Sequence, residues 1–177
     1  MLSRLARFGL VVSALLLTAC GFSPLYGETE KSFATEELLE FVEVLPIEDR
    51  VGQLVRIELT NRLTPKRPRP KPLYTLQVTL SESKAGLAVQ KDSSATRANL
   101  TLNGSFKLSQ NSDGETLVSG SVRSVNSYDI MLSDFATLEA ESGARKRGAI
   151  DVADGIVDRL TIFLSRAQDE APARQGR

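Results

Sequence analysis

Hydrophobic and polar positions change their period several times along the chain, and each change indicates a new element. Residues 41–47 are rich in β-branched and aromatic side chains, which predicts a first strand that ends near Pro46, because proline cannot continue a central ladder. Residues 48–63 then predict a helix, because apolar side chains recur at steps of three and four residues: Val51, Leu54, Val55, Leu59 and Leu63. Ile57 falls off this stripe. The alternation of proline with basic residues across 65–72 forces extended backbone and ends the helix.

Alternation in steps of two follows the proline-rich loop and is typical of strands with one buried and one polar face. The hairpin signal is the strongest feature of this region, because Asn111-Ser112-Asp113-Gly114 combines residue types that tolerate tight turns. An antiparallel meander is therefore expected. The pattern predicts, in order, a strand at 75–81, a turn at 84–86, a second strand at 87–108 with a bulge near Ser93, a hairpin turn at 111–114 and a last strand at 117–125.

The helical period returns after Tyr128 and predicts a second helix from about Asp134 to Leu164. Its broad apolar face includes Phe135, Leu138, Ile150, Ala153, Ile156, Val157, Leu160, Phe163 and Leu164. Glycine costs about 1 kcal/mol relative to alanine inside a helix, so bends or interruptions are predicted at Gly143, Gly148 and Gly155. Residues 168–177 carry no core residue and are predicted to be a disordered tail.

These elements predict the fold class α+β. Two amphipathic helices would cover one face of a roughly four-stranded sheet, mixed and mostly antiparallel, in a two-layer sandwich. The other face of the sheet would carry mainly Ser, Thr, Gln and Asn side chains. Such a face suits a polar partner surface, although any solvated sheet face has the same composition.

The N-terminus has the layout of an export signal. Arg4 and Arg7 form a positive lead, and residues 8–17 are apolar apart from one serine. As a helix this run would reach only about 15 Å, half of a roughly 30 Å hydrocarbon core, so we interpret it as a removed signal peptide and not a permanent span. Cleavage after residue 19 would leave 158 residues, enough for one domain with its own core.

The residues Leu17-Thr18-Ala19-Cys20 resemble the bacterial lipobox. This resemblance implies diacylation of the Cys20 thiol, cleavage before Cys20 and acylation of the new amino group, and Gly21 is similar to the pattern of lipoproteins forwarded to the outer membrane. The alternative is an ordinary secretory peptide that leaves Cys20 as a free thiol. We therefore divide the chain into a signal peptide at 1–19, a lipidated N-terminus and tether at 20–37, a single domain at 38–167 and a tail at 168–177.

Composition limits the chemistry that the chain can perform. After cleavage it carries 20 basic and 22 acidic side chains, so no bulk attraction to nucleic acid is expected. The chain has no histidine and one cysteine, which acylation would consume, so we expect no metal site and no cofactor beyond the covalent lipid on Cys20. We also expect that the chain is not an enzyme. Catalysis by carboxylates alone remains an alternative, and it requires two convergent acids in an apolar pocket.

Directly after the lipobox stands the heptad Gly21-Phe22-Ser23-Pro24-Leu25-Tyr26-Gly27, and three shorter segments follow at Ala95-Thr96-Arg97, Ser127-Tyr128 and Phe135-Ala136. Together they resemble the lipopolysaccharide-assembly lipoproteins of the LptE family in their alphaproteobacterial form. The resemblance implies a lipid-anchored outer-membrane protein inside the lumen of the large β-barrel LptD. It also implies that the protein helps this barrel to assemble and binds lipopolysaccharide. An auxiliary periplasm-facing lipoprotein of a phospholipid-transport machine is the alternative.

Basic side chains are the candidate binding residues, because lipopolysaccharide carries phosphates and carboxylates that Arg and Lys bind through charge-assisted hydrogen bonds. Arg97 is one candidate, since it lies in a segment that resembles the family, although it could instead pair with a nearby carboxylate. The cluster Arg145-Lys146-Arg147 is discounted because neighbouring acidic residues can neutralise it. The remaining candidates lie on the stiff proline-rich loop, where surface solubility explains them equally well: Lys66, Arg67, Arg69 and Lys71.

Overall fold

A computed structural model describes residues 37–64, 71–89 and 95–174 of the chain. A helical turn at residues 37–39 precedes the first strand. The elements that follow are β1 (Val42–Val44), α1 (Asp49–Leu63), β2 (Tyr74–Val89), β3 (Ala95–Gln110), β4 (Thr116–Asp129) and α2 (Asp134–Arg174). The strands form one sheet in the order β1-β2-β3-β4, in which β1 is parallel to β2 and the other neighbours are antiparallel. Both helices pack on this sheet, so the predicted α+β fold class is confirmed.

The register of the strands divides the sheet into two faces of different chemistry. Leu76 pairs with Leu108 and Val78 with Phe106, and these side chains are all buried. Even-numbered residues of the three long strands therefore form the inner face, because successive side chains in a strand point to opposite sides. The core lies between this face and the helices, and its largest fully buried side chains are Leu59, Leu63, Leu76, Leu100, Leu102, Leu108, Ile156, Leu160, Val55 and Val152.

The first strand and the first helix form where the sequence pattern predicts them, but the strand is shorter than predicted. β1 contains only three residues where the pattern predicted 41–47, and Ile47 is buried outside the strand. Ile47 stays close to α1 because Gly52 leaves room for it: a Cβ at Gly52 would lie 2.7 Å from Ile47 Cγ2. Ile57 is 55% exposed, as its place off the apolar stripe predicted.

The predicted turn at 84–86 is wrong. β2 continues through these residues to Val89, with Lys84 paired to Leu100 and Gly86 to Ala98, and Leu87 lies in β2 and not at the start of a second strand. The ladder to β3 and an ion pair from Lys84 to α2 stabilise extended backbone here, and they outweigh the local preference of Lys-Ala-Gly for a turn. The register is irregular between Gly86 and Val89. The predicted bulge near Ser93 lies outside the described residues.

The hairpin turn at 111–114 is confirmed between β3 and β4. Gly114 has a φ of 73°, a left-handed conformation that glycine adopts without steric cost. The Gln110 N–H donates to Glu115 O at 2.9 Å and the Gly114 N–H donates to Gln110 O at 3.0 Å, which closes the turn. β4 then extends to Asp129, four residues beyond the predicted end, because its pairing with β3 continues as far as Arg97.

α2 is one helix of 41 residues, so the predicted interruptions at its three glycines are wrong. Two of these glycines lie where the helix approaches the sheet. A Cβ at Gly155 would be 2.7 Å from Val122 Cγ1, and one at Gly148 would be 3.6 Å from Leu102 Cβ. Close packing against the sheet therefore compensates for their poor helix propensity. α2 also runs to Arg174, past the predicted start of a disordered tail at residue 168, since each residue added to a formed helix gains a hydrogen bond.

Polar contacts join α2 to the second half of β2. Arg145 Nε and Nη2 donate to the Glu82 carboxylate at distances of 2.9 to 3.1 Å, and Glu141 accepts from both Lys84 and Arg145. The hydrogen bond from Lys84, opposed by burial, holds the pKa of Glu141 below its usual value. Burial, followed by the charge of Glu141, raises the pKa of Tyr128, whose hydroxyl donates to Glu141 at 3.4 Å.

The lowered pKa of Glu141 predicts how stability depends on pH. A carboxyl group with a depressed folded-state pKa stabilises the fold above the pKa of the unfolded chain, and this contribution is lost as the pH falls through the folded value. We expect Glu141→Gln to reduce the free energy of unfolding by about 1 kcal/mol at pH 7 and by less below about pH 4. Urea unfolding at both pH values measures this difference. Glu139→Gln on the exposed side of the same helix is the control, and an equal loss from Glu141→Gln at both pH values would contradict the prediction.

Candidate functional site

The outer face of the sheet is a long polar surface that no described element covers. Odd-numbered residues of the long strands point to this side, and nearly all carry hydroxyl, amide or charged groups. Leu87 and Val125, which are 53% and 49% exposed, are apolar exceptions near one end. We call this surface the outer polar face, and it contains Thr75, Gln77, Thr79, Ser81 and Ser83 on β2, Arg97, Asn99, Thr101, Asn103, Ser105, Lys107 and Ser109 on β3, and Ser119, Ser121, Arg123, Ser127 and Asp129 on β4.

Arg97 lies at one end of the outer polar face. Its Nε is 3.0 Å from Asp129 Oδ1 on the neighbouring strand, and both side chains are more than half exposed. The geometry agrees with the alternative in which this arginine pairs with a carboxylate. Because the pair is exposed, solvent screens it, and a multivalent anion could replace the carboxylate at little cost.

Lys71 lies at the opposite end of the sheet, beside a recess between the start of β2 and the β3–β4 turn. The recess has a volume of about 310 Å³, and its polar lining comes from Lys71, Tyr74, Gln110, Asn111 and Ser112. Asn111 fixes the wall, because its Nδ2 donates to Pro72 O at 3.1 Å and its Oδ1 accepts from Thr75 Oγ1 at 2.7 Å. The structure therefore places a recess that carries amide and hydroxyl groups beside Lys71.

The structure does not bring the predicted site residues together. Tyr74 pairs with Gln110 at one end of the β2–β3 ladder and Ala88 pairs with Arg97 at the other, so Lys71 and Arg97 are separated by about 40 Å along the strands. Cys20, Lys66, Arg67 and Arg69 lie outside the described residues.

Two cations on the outer polar face were missed as candidates. Both are exposed, Arg123 near the middle of this face and Lys107 nearer the end of β3, where it pairs with Gln77 and Ser119. Their odd positions within alternating strands could have identified them, because the same alternation predicted the polar face itself. The discounted cluster 145–147 behaves differently, since Arg145 pairs with carboxylates and Arg147 donates to Asn126 Oδ1 and Ser127 O at 3.3 Å.

Two further properties concern metals and membranes. Within the ranges 37–64, 71–89 and 95–174, no group of three His, Cys, Asp or Glu side chains is placed to hold a metal ion. In the same part of the chain, no helix combines the length and the apolar character needed to cross a membrane.

The architecture defines a class of small α+β domains, with two helices on one face of a four-stranded sheet, that solved structures of bacterial lipoproteins share. A Caulobacter crescentus CB15 protein described as a candidate lipoprotein is 21% identical over 76% of this chain and 98% of its own, with a TM-score of 0.64. A minor lipoprotein from Acinetobacter baumannii is 18% identical over 70% of this chain and 92% of its own, with a TM-score of 0.55. A lipoprotein B from Nitrosomonas europaea is 14% identical over 73% of this chain and 86% of its own, with a TM-score of 0.54. These similarities show a common fold. No protein-family model and no curated protein sequence matches the chain.

Proposed function

We propose that the chain is a lipoprotein, anchored in the outer membrane through acylated Cys20, that occupies the lumen of the LptD barrel and helps this barrel to assemble. Two observations support the lipoprotein character. The lipobox and the heptad at 21–27 resemble the LptE family, and the fold is shared with bacterial lipoproteins. Two or more acyl chains hold a protein on a membrane stably, so this anchoring needs no spanning helix.

The outer polar face is the observation that carries the proposal for the barrel. β2 and β3 contain 16 residues each, so the face is about 50 Å long. The interior of a wide outer-membrane barrel is polar, and a protein inside it needs hydrogen-bonding groups on its surface. Rows of hydroxyl and amide side chains, such as Thr79, Ser105 and Ser121 across the three strands, provide such groups without an apolar surface that would cause aggregation.

Lipopolysaccharide is the proposed cargo of the complex. The basic loop at 65–72 carries four cations, and the recess beside Lys71 adds amide and hydroxyl groups that can bind a phosphorylated sugar. Arg97 is a second contact at the other end of the sheet, about 40 Å away, and is able to bind another part of the same extended molecule. In this proposal the protein acts by binding and positioning, with no catalytic step and no cofactor other than its lipid.

Affinity purification of the tagged protein from detergent-solubilised envelopes tests the proposal. We expect one large outer-membrane barrel protein in near-equal amount, together with lipopolysaccharide in the eluate. Cys20→Ala should lower the amount of protein in the membrane fraction, because it removes the site of acylation and leaves only the contact with the barrel to hold the protein there.

A matched pair of variants relates this result to the outer polar face. Ser105→Leu together with Ser121→Leu places two apolar side chains in the middle of the face, and Ile57→Ser changes an exposed position on α1. We expect the first variant to lose the barrel protein and the second to retain it. Recovery of inner-membrane transporter subunits would favour the phospholipid-transport alternative. Equal recovery of the barrel protein from both variants would show that the outer polar face does not contact the barrel.

A further inference from the structure

Five large apolar side chains are exposed together at the connection between β4 and α2. They lie within nine consecutive residues, and Leu132 is fully exposed while Phe135 is 73% exposed. Single exposed apolar residues are ordinary on protein surfaces, whereas five within nine consecutive residues are typical of an interaction site. We call this group the β4–α2 patch, and it consists of Ile130, Met131, Leu132, Phe135 and Leu138.

Hydrogen bonds fix the shape of the β4–α2 patch. The Ile130 N–H donates to Thr96 O at 3.0 Å, which holds the patch to β3. Thr137 Oγ1 accepts from the Met131 N–H at 2.9 Å, and Ser133 Oγ accepts from the Ala136 N–H at 3.4 Å at the start of α2. The apolar side chains are thus presented on a fixed backbone, so this segment would lose little backbone conformational entropy when a partner binds.

The charge around the patch favours one kind of partner. Asp134 and Glu139 are exposed at its border and pair with no cation among the described residues. Two cations of the sheet, Arg97 and Lys84, are already paired with Asp129 and Glu141. An apolar surface with an acidic border is repelled by anionic lipid headgroups and complements a hollow with basic side chains.

The patch lies at the opposite end of the sheet from the point where the chain enters the domain. Phe41 O accepts from the Leu73 N–H at 3.0 Å, so the chain enters the domain at the Tyr74 end of β2. The patch adjoins Thr96 at the other end of the sheet, about 40 Å away.

We infer that the β4–α2 patch is a docking site for an envelope protein that presents an apolar hollow bordered by Lys or Arg side chains. This inference does not depend on the barrel proposal, because either the barrel or another envelope protein can supply such a hollow. It adds to the polar face and the basic loop a third surface with different chemistry.

Photo-crosslinking in cells with the full-length protein tests the inference. The photoreactive amino acid p-benzoylphenylalanine replaces Leu132 in one strain and Ile57, equally apolar and 55% exposed on α1, in the control. We expect one protein adduct from position 132, identified by mass spectrometry, and none from position 57. Asp134→Asn combined with Glu139→Lys should lower the adduct yield about threefold to tenfold, whereas Glu115→Lys at the β3–β4 turn should leave it unchanged.

Several results would overturn the inference: adducts to phospholipid or lipopolysaccharide only, adducts to a second copy of this chain, equal yields at positions 132 and 57, or no adduct. A yield that does not respond to Asp134→Asn with Glu139→Lys would also overturn it. Circular dichroism of each variant establishes that the fold is retained. A barrel absent from the purification but a charge-sensitive adduct at position 132 would reject the barrel proposal and support the docking site.

Discussion

Leu102→Ala is expected to lower the free energy of unfolding by about 2–5 kcal/mol. Leu102 is 1% exposed on the inner face of β3, beneath α2, where a Cβ at Gly148 would lie 3.6 Å from Leu102 Cβ. Removal of its side chain eliminates apolar burial and leaves a cavity between two stiff elements that cannot collapse fully. A domain of this size has a total stability of about 5–15 kcal/mol, so this loss is a large fraction of it.

Urea unfolding of the unlipidated Cys20→Ala protein measures this effect. Ile57→Ala is the matched control, because the same class of apolar side chain is removed from a position that is 55% exposed. The control should change stability by less than about 1 kcal/mol. Equal losses from the two variants would show that α2 does not pack on β3 as the structure has it.

Gly104→Ala and Gly143→Ala are expected to change stability in opposite directions. A Cβ at Gly104 would lie 2.6 Å from Val152 Cγ1 on α2 and 3.3 Å from Leu80 Cδ2. Valine is stiff at χ1, so the helix must shift, and overpacking of this kind costs about 1–3 kcal/mol. At Gly143 the added methyl group meets only Arg147 Nη1 at 3.5 Å, so alanine should stabilise α2 by up to about 1 kcal/mol.

Thermal and urea unfolding of the two variants measure the difference, which should be about 1–4 kcal/mol. The comparison is informative because both substitutions add one methyl group to a glycine, so only the surroundings differ. Stabilisation by Gly104→Ala would contradict the close approach of α2 to β3. Destabilisation by Gly143→Ala would contradict the continuous helix through this residue.

The fold carries three surfaces with different chemistry. The outer polar face offers hydrogen bonds along about 50 Å, the recess with Lys71 offers a cation at one end, and the β4–α2 patch offers apolar contact at the other end. Apart from Tyr74, which lines the recess and packs against the core, their side chains lie outside the core. Variants of each surface can therefore be compared without loss of the fold.

The candidate site was predictable in composition but not in arrangement. Alternation along the strands predicted a polar face, and that prediction agrees with the exposed positions. The separation of Lys71 from Arg97 could not be predicted, since it depends on β2 being one long strand and not two. Phe135 and Leu138 of the β4–α2 patch were predicted to lie on the apolar face of the helix because of their helical spacing, but among the described residues no element packs on that side of the first turns of α2.

The sequence by itself determined the order of elements, the hairpin at 111–114, the apolar stripe of α1 and the α+β class, because these depend on periodicity and turn chemistry that act over a few residues. Tertiary structure decided the rest. The ladder with β3 and the pair of Lys84 with Glu141 kept 84–86 extended, and the contacts of Gly155 with Val122 kept α2 continuous. Local preferences of about 1 kcal/mol are smaller than the free energy of packing between elements, so contacts distant in sequence determined these segments.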